Sequence, residues 1–402
     1  MEIHVPKLKI TSENATHLFV CELWAYSLLD FFRVIVMHLP VVGSFSVFVI
    51  PFLLGIPFVV GLPYIVKHIK PIDVILYLLV VLLYMASFTI HPENQEALEK
   101  YLKSFLLFSL PYFFVGLFTE NDKLFDRLSV LSALCVCASV LYNLVYAQGT
   151  SYTGGSDTSV YNMSASYAIL PHVLMLCNAM LKKASVFNIL AFILGFVMIA
   201  SFGTRGPFVC LLLFIIFYLL FVKKYRRPVM SKLIVCVVGF GILGFADLIV
   251  LFMQQLTQEL GMSSRIFDIM EEDSVLLDYS NSSGRDSILA TLFRELQKDV
   301  PFGYGIAGDR RFVGIYAHNF AVELWFSFGY VIGTILLLAV VFVFLRGYSR
   351  SVGETGKVFI IVLIVSGFVK LFFSGSYLFE KYLFWALGVC VAVMRRKSAP
   401  CA

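Results

Sequence analysis

PIDVILYLLVVLLYMASFTI, residues 71–90, holds one charged side chain, Asp73, in twenty positions. A bilayer core needs about 20 apolar residues per spanning helix, so the stretch predicts a transmembrane helix. The pattern repeats along the chain, with predicted helices over Leu18 to Pro40, Gly43 to Val66, Pro71 to Ile90, Leu102 to Thr119, Phe125 to Tyr146 and Asn162 to Leu181. Further helices are predicted over Ala184 to Ser201, Pro207 to Val222, Leu233 to Met253, His318 to Leu345, Val358 to Phe373 and Tyr377 to Met394. The expectation is an all-α integral membrane protein with about twelve spans, residues 1–402 forming one polytopic domain.

Composition agrees. Of 402 residues 59% are hydrophobic and 14% charged, where a soluble domain carries nearer a quarter. The first 17 residues or so, MEIHVPKLKITSENATH, lack the charged, apolar, small-residue order of a cleavable signal, so the first helix is expected to act as an uncleaved anchor. Seven of the eight cysteines fall in or beside apolar segments, which implies no disulfide framework. The net charge of +5 comes from basic residues spread over short loops, which excludes a nucleic-acid partner.

Those basic residues alternate. One set of segments, from Lys7 and Lys9 through Lys67, Lys182, the KKYRR run at Lys223 and Arg346 to Lys397, holds 19, and the opposite set holds nine. Cytoplasmic loops carry the excess, so both termini are expected in the cytoplasm of a bacterial plasma (inner) membrane. The long loop, 254–317, then lies on the external side. Within it SGRDSILATLFRELQKDV has Ile288, Leu289, Leu292, Phe293 and Leu296 at helical spacing, either as an amphipathic interfacial helix or as a helix packed on the mouth of the bundle.

Several polar residues stand at external helix ends. Arg205, in SFGTRGP, sits where topology disfavours a positive charge; it either snorkels to the headgroups or, beside Gly206 and Pro207, opens an anion-favouring helix start. Arg285 opens the amphipathic helix, while Arg294, Arg310 and Arg311 read equally well as surface ion pairs among the ten acids and six bases of the loop. His318 and Asn319 precede an apolar helix, whose positive end disfavours imidazolium and leaves a neutral base, though a simple cap is the plainer reading. Glu323, Lys370, Glu380 and Lys381 lie near the same rim and predict a polar pocket beneath the loop. PFGYGIAGDRRF, with glycines at 303, 305 and 308, suggests a compact turn and lacks the context of a nucleotide-binding loop. The acidic run Glu271, Glu272 and Asp273 reads as solvated more readily than as a cation site.

Taken in order, SFGTRG, SSGRDSIL, PFGYGIAGD and AHNFAVELWFSFGYVIG resemble the superfamily of O-antigen ligases and O-antigen or capsule polymerases. The resemblance covers the second half of the chain. It implies a GT-C-like, metal-independent, inverting glycosyltransferase that uses no cofactor and takes its sugar donor from a polyprenyl-pyrophosphate-linked oligosaccharide. It implies catalytic roles for Arg205, Arg285 and His318, and substrate contacts at Arg205, Arg285, Gly305 and Asn319. Partners would be membrane lipids, a chain-length regulator and a flippase. Polymerisation of repeat units is the favoured activity, with ligation to another acceptor as the alternative. A transporter or flippase is the rival outside enzymology, and the long external loop after the ninth predicted helix, with ionisable groups at the rim, speaks against it.

Overall fold

A computed structural model describes residues 11–37, 45–119, 122–150, 157–201, 205–222, 285–298 and 301–396. Among the described residues the secondary structure is helical throughout. The predicted helix Leu233 to Met253, the first part of the long loop and the acidic run at 271–273 lie outside them.

The first predicted span is two helices. Thr11 Oγ1 accepts from the Asn14 amide 3.2 Å away and starts α1 (Ser12–Trp24) earlier than apolarity alone suggests, and the chain breaks at Ala25 before α2 (Tyr26–Met37). The break leaves Trp24 in the core, its Nε1 donating to Ser132 Oγ at 3.0 Å and its ring against His172, Phe359 and Trp385. α3 (Ser46–His68) and α4 (Pro71–Ile90) follow, with most of their side chains facing outward. The next helix, α5 (Pro92–Phe118), begins ten residues, nearly three polar turns, before its predicted start and contains a π-helical segment at Ser104–Ser109. Leu98 is its buried anchor, and its carbonyl accepts from Tyr84 Oη at 2.7 Å.

Then come α6 (Asp122–Thr150), α7 (Asp157–Lys182), α8 (Val186–Ser201) and α9 (Arg205–Phe221). From the external segment, α10 (Arg285–Leu296) and the short α11 (Asp309–Val313) are helical. The apolar face of α10 is not free: Leu292 and Leu296 pack with Ala317, Val322 and Phe326, so the helix docks on the bundle. The chain closes with α12 (Phe320–Arg350), α13 (Glu354–Phe372) and α14 (Lys381–Arg395).

α12 is not one rod. Gly329 has φ 77° and ψ 166°, and a Cβ on it would lie 2.0 Å from the Pro301 carbonyl oxygen, so only glycine fits the turn. Gly333 approaches Leu324 so closely that an added Cβ would sit 2.8 Å from its carbonyl oxygen. Residues nine apart in a straight helix are about 13 Å apart along the axis, so 320–328 folds back on the start of 330–350. Trp325 Nε1 closes the bend by donating to Thr334 Oγ1 at 3.0 Å. The longer arm, about 31 Å at 1.5 Å per residue, matches a hydrocarbon core, whereas the nine-residue arm is almost wholly buried in protein.

Lipid chains are as apolar as leucine, so helices in a bilayer associate through close packing. Small residues permit it here. A Cβ on Gly388 would stand 2.0 Å from the Phe113 carbonyl oxygen and one on Gly116 would stand 2.5 Å from that of Trp385, so α5 and α14 cross backbone to backbone. Among the described residues six helices are long and apolar enough to cross a membrane, and Val186–Ile199 and Gly206–Phe221 are shorter apolar helices. These are the features of an α-helical, membrane-embedded protein.

The basic segments gather at one end of the bundle. Arg395 donates to Asp73 Oδ2 at 2.6 Å, one turn from Lys70, and Arg350 donates to the Met394 carbonyl at 2.7 Å. Lys182 Nζ reaches Thr355 Oγ1 at 3.4 Å, and Tyr348 Oη donates to the Phe221 carbonyl at 2.8 Å. The candidate site occupies the other end.

Candidate functional site

The site is organised by a buried ion cluster. Arg310 is 5% exposed, and its guanidinium pairs with Asp309 and, at 2.8 Å, with Glu323 Oε1. It also donates to Ser376 Oγ at 2.6 Å and lies 4.8 Å above the Tyr101 ring. Ser376 donates in turn to Glu323, and the Tyr377 amide donates to Glu323 Oε2 at 3.3 Å. One guanidinium with two carboxylates leaves no buried cation uncompensated, and the remaining lone pairs are met by hydroxyl and amide donors. Burial opposes the charge on Arg310, but Glu323 and Asp309 outweigh it and hold the guanidinium protonated more firmly than usual. The cluster ties the glycine loop, the start of α12 and the 374–380 connection together.

Asp309 reaches further. Its Oδ2 accepts from the Ala317 amide at 2.8 Å, which fixes the chain just before His318. His318 has φ 53°, a left-handed conformation uncommon for a residue with a side chain, and such strain collects at functional sites. Its ring packs on Tyr316, centroids 4.2 Å apart, and among the described residues its buried Nδ1 has no hydrogen-bond partner. Burial first, then the positive charges of Arg285 and Arg310, push the imidazole down to about 4, so it is neutral at physiological pH. Neutrality was expected from a helix end; burial and two arginines are the larger causes.

Arg285, the first residue of α10, donates from Nη1 to the Phe373 carbonyl at 2.8 Å. Ser374, beside it in sequence, lies close to the side chains of both Tyr167 and Tyr316. Tyr167 carries the site to α9: a Cβ on Gly206 would lie 1.8 Å from the Tyr167 hydroxyl, so the glycine admits the phenol against the helix start that Arg205 opens. Lys370 lies 5.2 Å from the Tyr167 ring and pairs with Glu380. The backbone of Arg205, the side chain of Arg285 and the ring of His318 therefore border one cluster built on Tyr167, Ser374 and Tyr316.

Two assigned residues are placed differently. Gly305, expected to let substrate approach, has φ 81° and faces the His91 ring, which a Cβ would meet at 2.3 Å. Its loop is pinned by Asn94, which donates to the Tyr304 carbonyl at 2.7 Å, and by Ser87, whose Oγ accepts from the Ile306 amide at 2.9 Å. The glycine serves protein packing. Asn319 is the N-cap of α12, its Oδ1 accepting from the Ala321 and Val322 amides at 3.1 and 3.3 Å. Among the described residues no group of three or more His, Cys, Asp or Glu side chains is placed to hold a metal ion.

Sequence reasoning missed Tyr167, Tyr316 and Ser374 and left Arg310 undecided between a surface ion pair and a site residue. The usable signal was Glu323: an acid one turn inside an apolar helix needs a buried base, and the adjoining loop supplies the arginines.

Fold and site together define an α-helical membrane protein with a polar, arginine-bearing cluster at the end opposite its basic loops. Comparison with protein-family models, with curated proteins and with solved structures gives no match.

Proposed function

We propose that the chain is a GT-C-like membrane glycosyltransferase of about twelve spans that polymerises polyprenyl-pyrophosphate-linked oligosaccharide repeat units on the outer face of a bacterial plasma membrane. The observation that carries the reading is His318: a neutral imidazole on a strained backbone, with a buried Nδ1 that has no partner among the described residues, standing within the field of Arg285. A base beside an anion-binding guanidinium is what this transfer needs.

In the step, a hydroxyl oxygen of the acceptor sugar attacks the anomeric carbon of the donor. The bond from that carbon to the pyrophosphate oxygen breaks, its electron pair leaves with the polyprenyl pyrophosphate, and His318 takes the hydroxyl proton. Displacement from the opposite face inverts the anomeric centre. Arg285 and Arg205 would neutralise the charge that develops on the leaving group. With pyrophosphate against Arg285, that arginine's share of the lowering is offset, while burial and Arg310 still hold His318 down, and the imidazole becomes a somewhat stronger base when donor is bound.

The test is an assay of purified protein with a polyprenyl-pyrophosphate-linked repeat unit in the presence of EDTA. A ladder of longer lipid-linked chains is expected from wild type, with a loss of at least a hundredfold in Arg205→Ala, Arg285→Ala and His318→Ala that remain folded. Absence of a ladder, or wild-type rates in all three variants, sinks the proposal.

A further inference from the structure

The connection after α13 holds one residue that packing does not explain. Ser376, Tyr377, Leu378 and Glu380 are between 0% and 8% exposed, whereas Phe379, in the short helical turn Tyr377–Phe379, is 36% exposed. Its neighbours are tied on both sides. Ser376 and the Tyr377 amide belong to the Arg310 cluster, the Leu378 carbonyl accepts from Ser109 Oγ at 3.2 Å, and Glu380 pairs with Lys370. The phenyl ring is therefore presented on a fixed backbone, which keeps low the ordering cost of binding anything against it.

Two other rings frame it. Tyr101, from α5, stacks on Phe379 with centroids 5.9 Å apart and planes 26° from parallel, and the Arg310 guanidinium lies over Tyr101. Tyr316 meets Phe379 edge-on at 5.4 Å, and the same Tyr316 ring lies 4.2 Å from the His318 imidazole. Phe379 thus stands two ring steps from the proposed base.

The aromatic belt of a membrane protein is built of Tyr and Trp, whose polar tips reach the headgroups. Phenylalanine has no such tip, and this one sits between the Arg310 cluster and the Lys370 and Glu380 pair rather than on a lipid-facing helix. A ligand suited to the setting has an apolar face and polar edges. A pyranose has both: the C–H bonds on one face of the sugar lie against the electron-rich face of an aromatic ring, and its hydroxyls point outward to polar groups.

We infer that Phe379, flanked by Tyr101 and Tyr316, is the platform on which the acceptor sugar stacks, and that a pyranose lying there turns a hydroxyl toward His318. The role of acceptor rests on the proposed transfer; sugar binding at Phe379 is measurable without turnover.

The experiment is saturation-transfer difference NMR on the full-length protein in a detergent without a sugar headgroup. The probe is the host cell's own repeat-unit oligosaccharide, freed from its polyprenyl pyrophosphate by mild acid. Wild type is expected to bind it saturably, with transfer strongest at the ring C–H protons of one sugar. Phe379→Leu, which keeps apolar bulk and loses the ring, should raise the dissociation constant about tenfold, while Phe379→Tyr, which keeps the ring, should stay within about twofold of wild type. Phe302→Leu, a change at another exposed phenylalanine, leaves binding as it was. Tyr101→Leu, on a separate element, weakens binding in the same direction and gives the reading where Phe379→Leu does not fold. Saturable, Phe379-dependent binding by a protein that builds no ladder of lipid-linked chains supports the platform and sinks the polymerase reading alone. A ladder from wild type with no transfer to the free oligosaccharide, or binding that Phe379→Leu and Tyr101→Leu leave unweakened, overturns the platform while the transfer reaction stands.

Discussion

His318 combines a left-handed backbone with an imidazole held at about 4, against 6.5 ordinarily. Between those values the unfolded chain binds a proton that the folded chain refuses, so stability is greatest above 6.5 and falls as pH drops toward 4. The effect amounts to at most about 3 kcal/mol. Unfolding midpoints of wild type and His318→Gln should therefore run parallel above pH 6.5 and diverge below it, wild type losing stability relative to the variant toward pH 4; curves that stay parallel over the whole range would show that the imidazole is not held neutral by the fold. Arg310 makes a different kind of contribution. Arg310→Met leaves Asp309 and Glu323 facing each other without a cation, and a loss of about 3–5 kcal/mol is expected in chemical denaturation. Arg285 and His318 were legible in the sequence because each opens a helix where topology disfavours charge or a lone polar ring. Arg310 was not singled out, since its partners Glu323 and Ser376 are 13 and 66 positions away and the buried acid Glu323 calls for a base without choosing among the loop's arginines.

At the level of helices, apolar runs predicted most elements well because a bilayer imposes one length and one composition on every span. What they could not carry was backbone direction. Phe320 to Arg350 is continuous in hydropathy, and its reversal at Gly329 depends on a positive φ that hydropathy does not encode. The same holds at Ala25, where two apolar helices meet without a polar gap. Gly329→Ala should open the bend, because the methyl would collide with the Pro301 carbonyl and the φ is unfavourable for alanine. Hydrogen exchange checks this: amides of 320–328 should lose protection in the variant while those of 330–350 keep theirs, and uniform protection across both arms would disprove the account.

Across the whole molecule, the strongest organising fact is polarity between ends. The segments around Lys70, Lys182, Arg350 and Arg395 meet at one end, and Arg285, Arg310 and His318 lie at the other. In a cysteine-free background, Phe302→Cys should react with an impermeant maleimide on intact spheroplasts and Lys183→Cys only after lysis; the reverse pattern would put the site on the cytoplasmic face and remove the outer-face reaction. The bend in α12 also bears on biogenesis. An insertion machinery that weighs hydropathy admits residues 320–350 as a single rod of about 46 Å, too long for the membrane. The hairpin has its stabilising partners, the Pro301 loop and the Arg310 cluster, only once the preceding segment has come into place against it. Assembly of the His318 end is thus a late event, complete only when the loop before α12 and the 374–380 connection after it have both come into place.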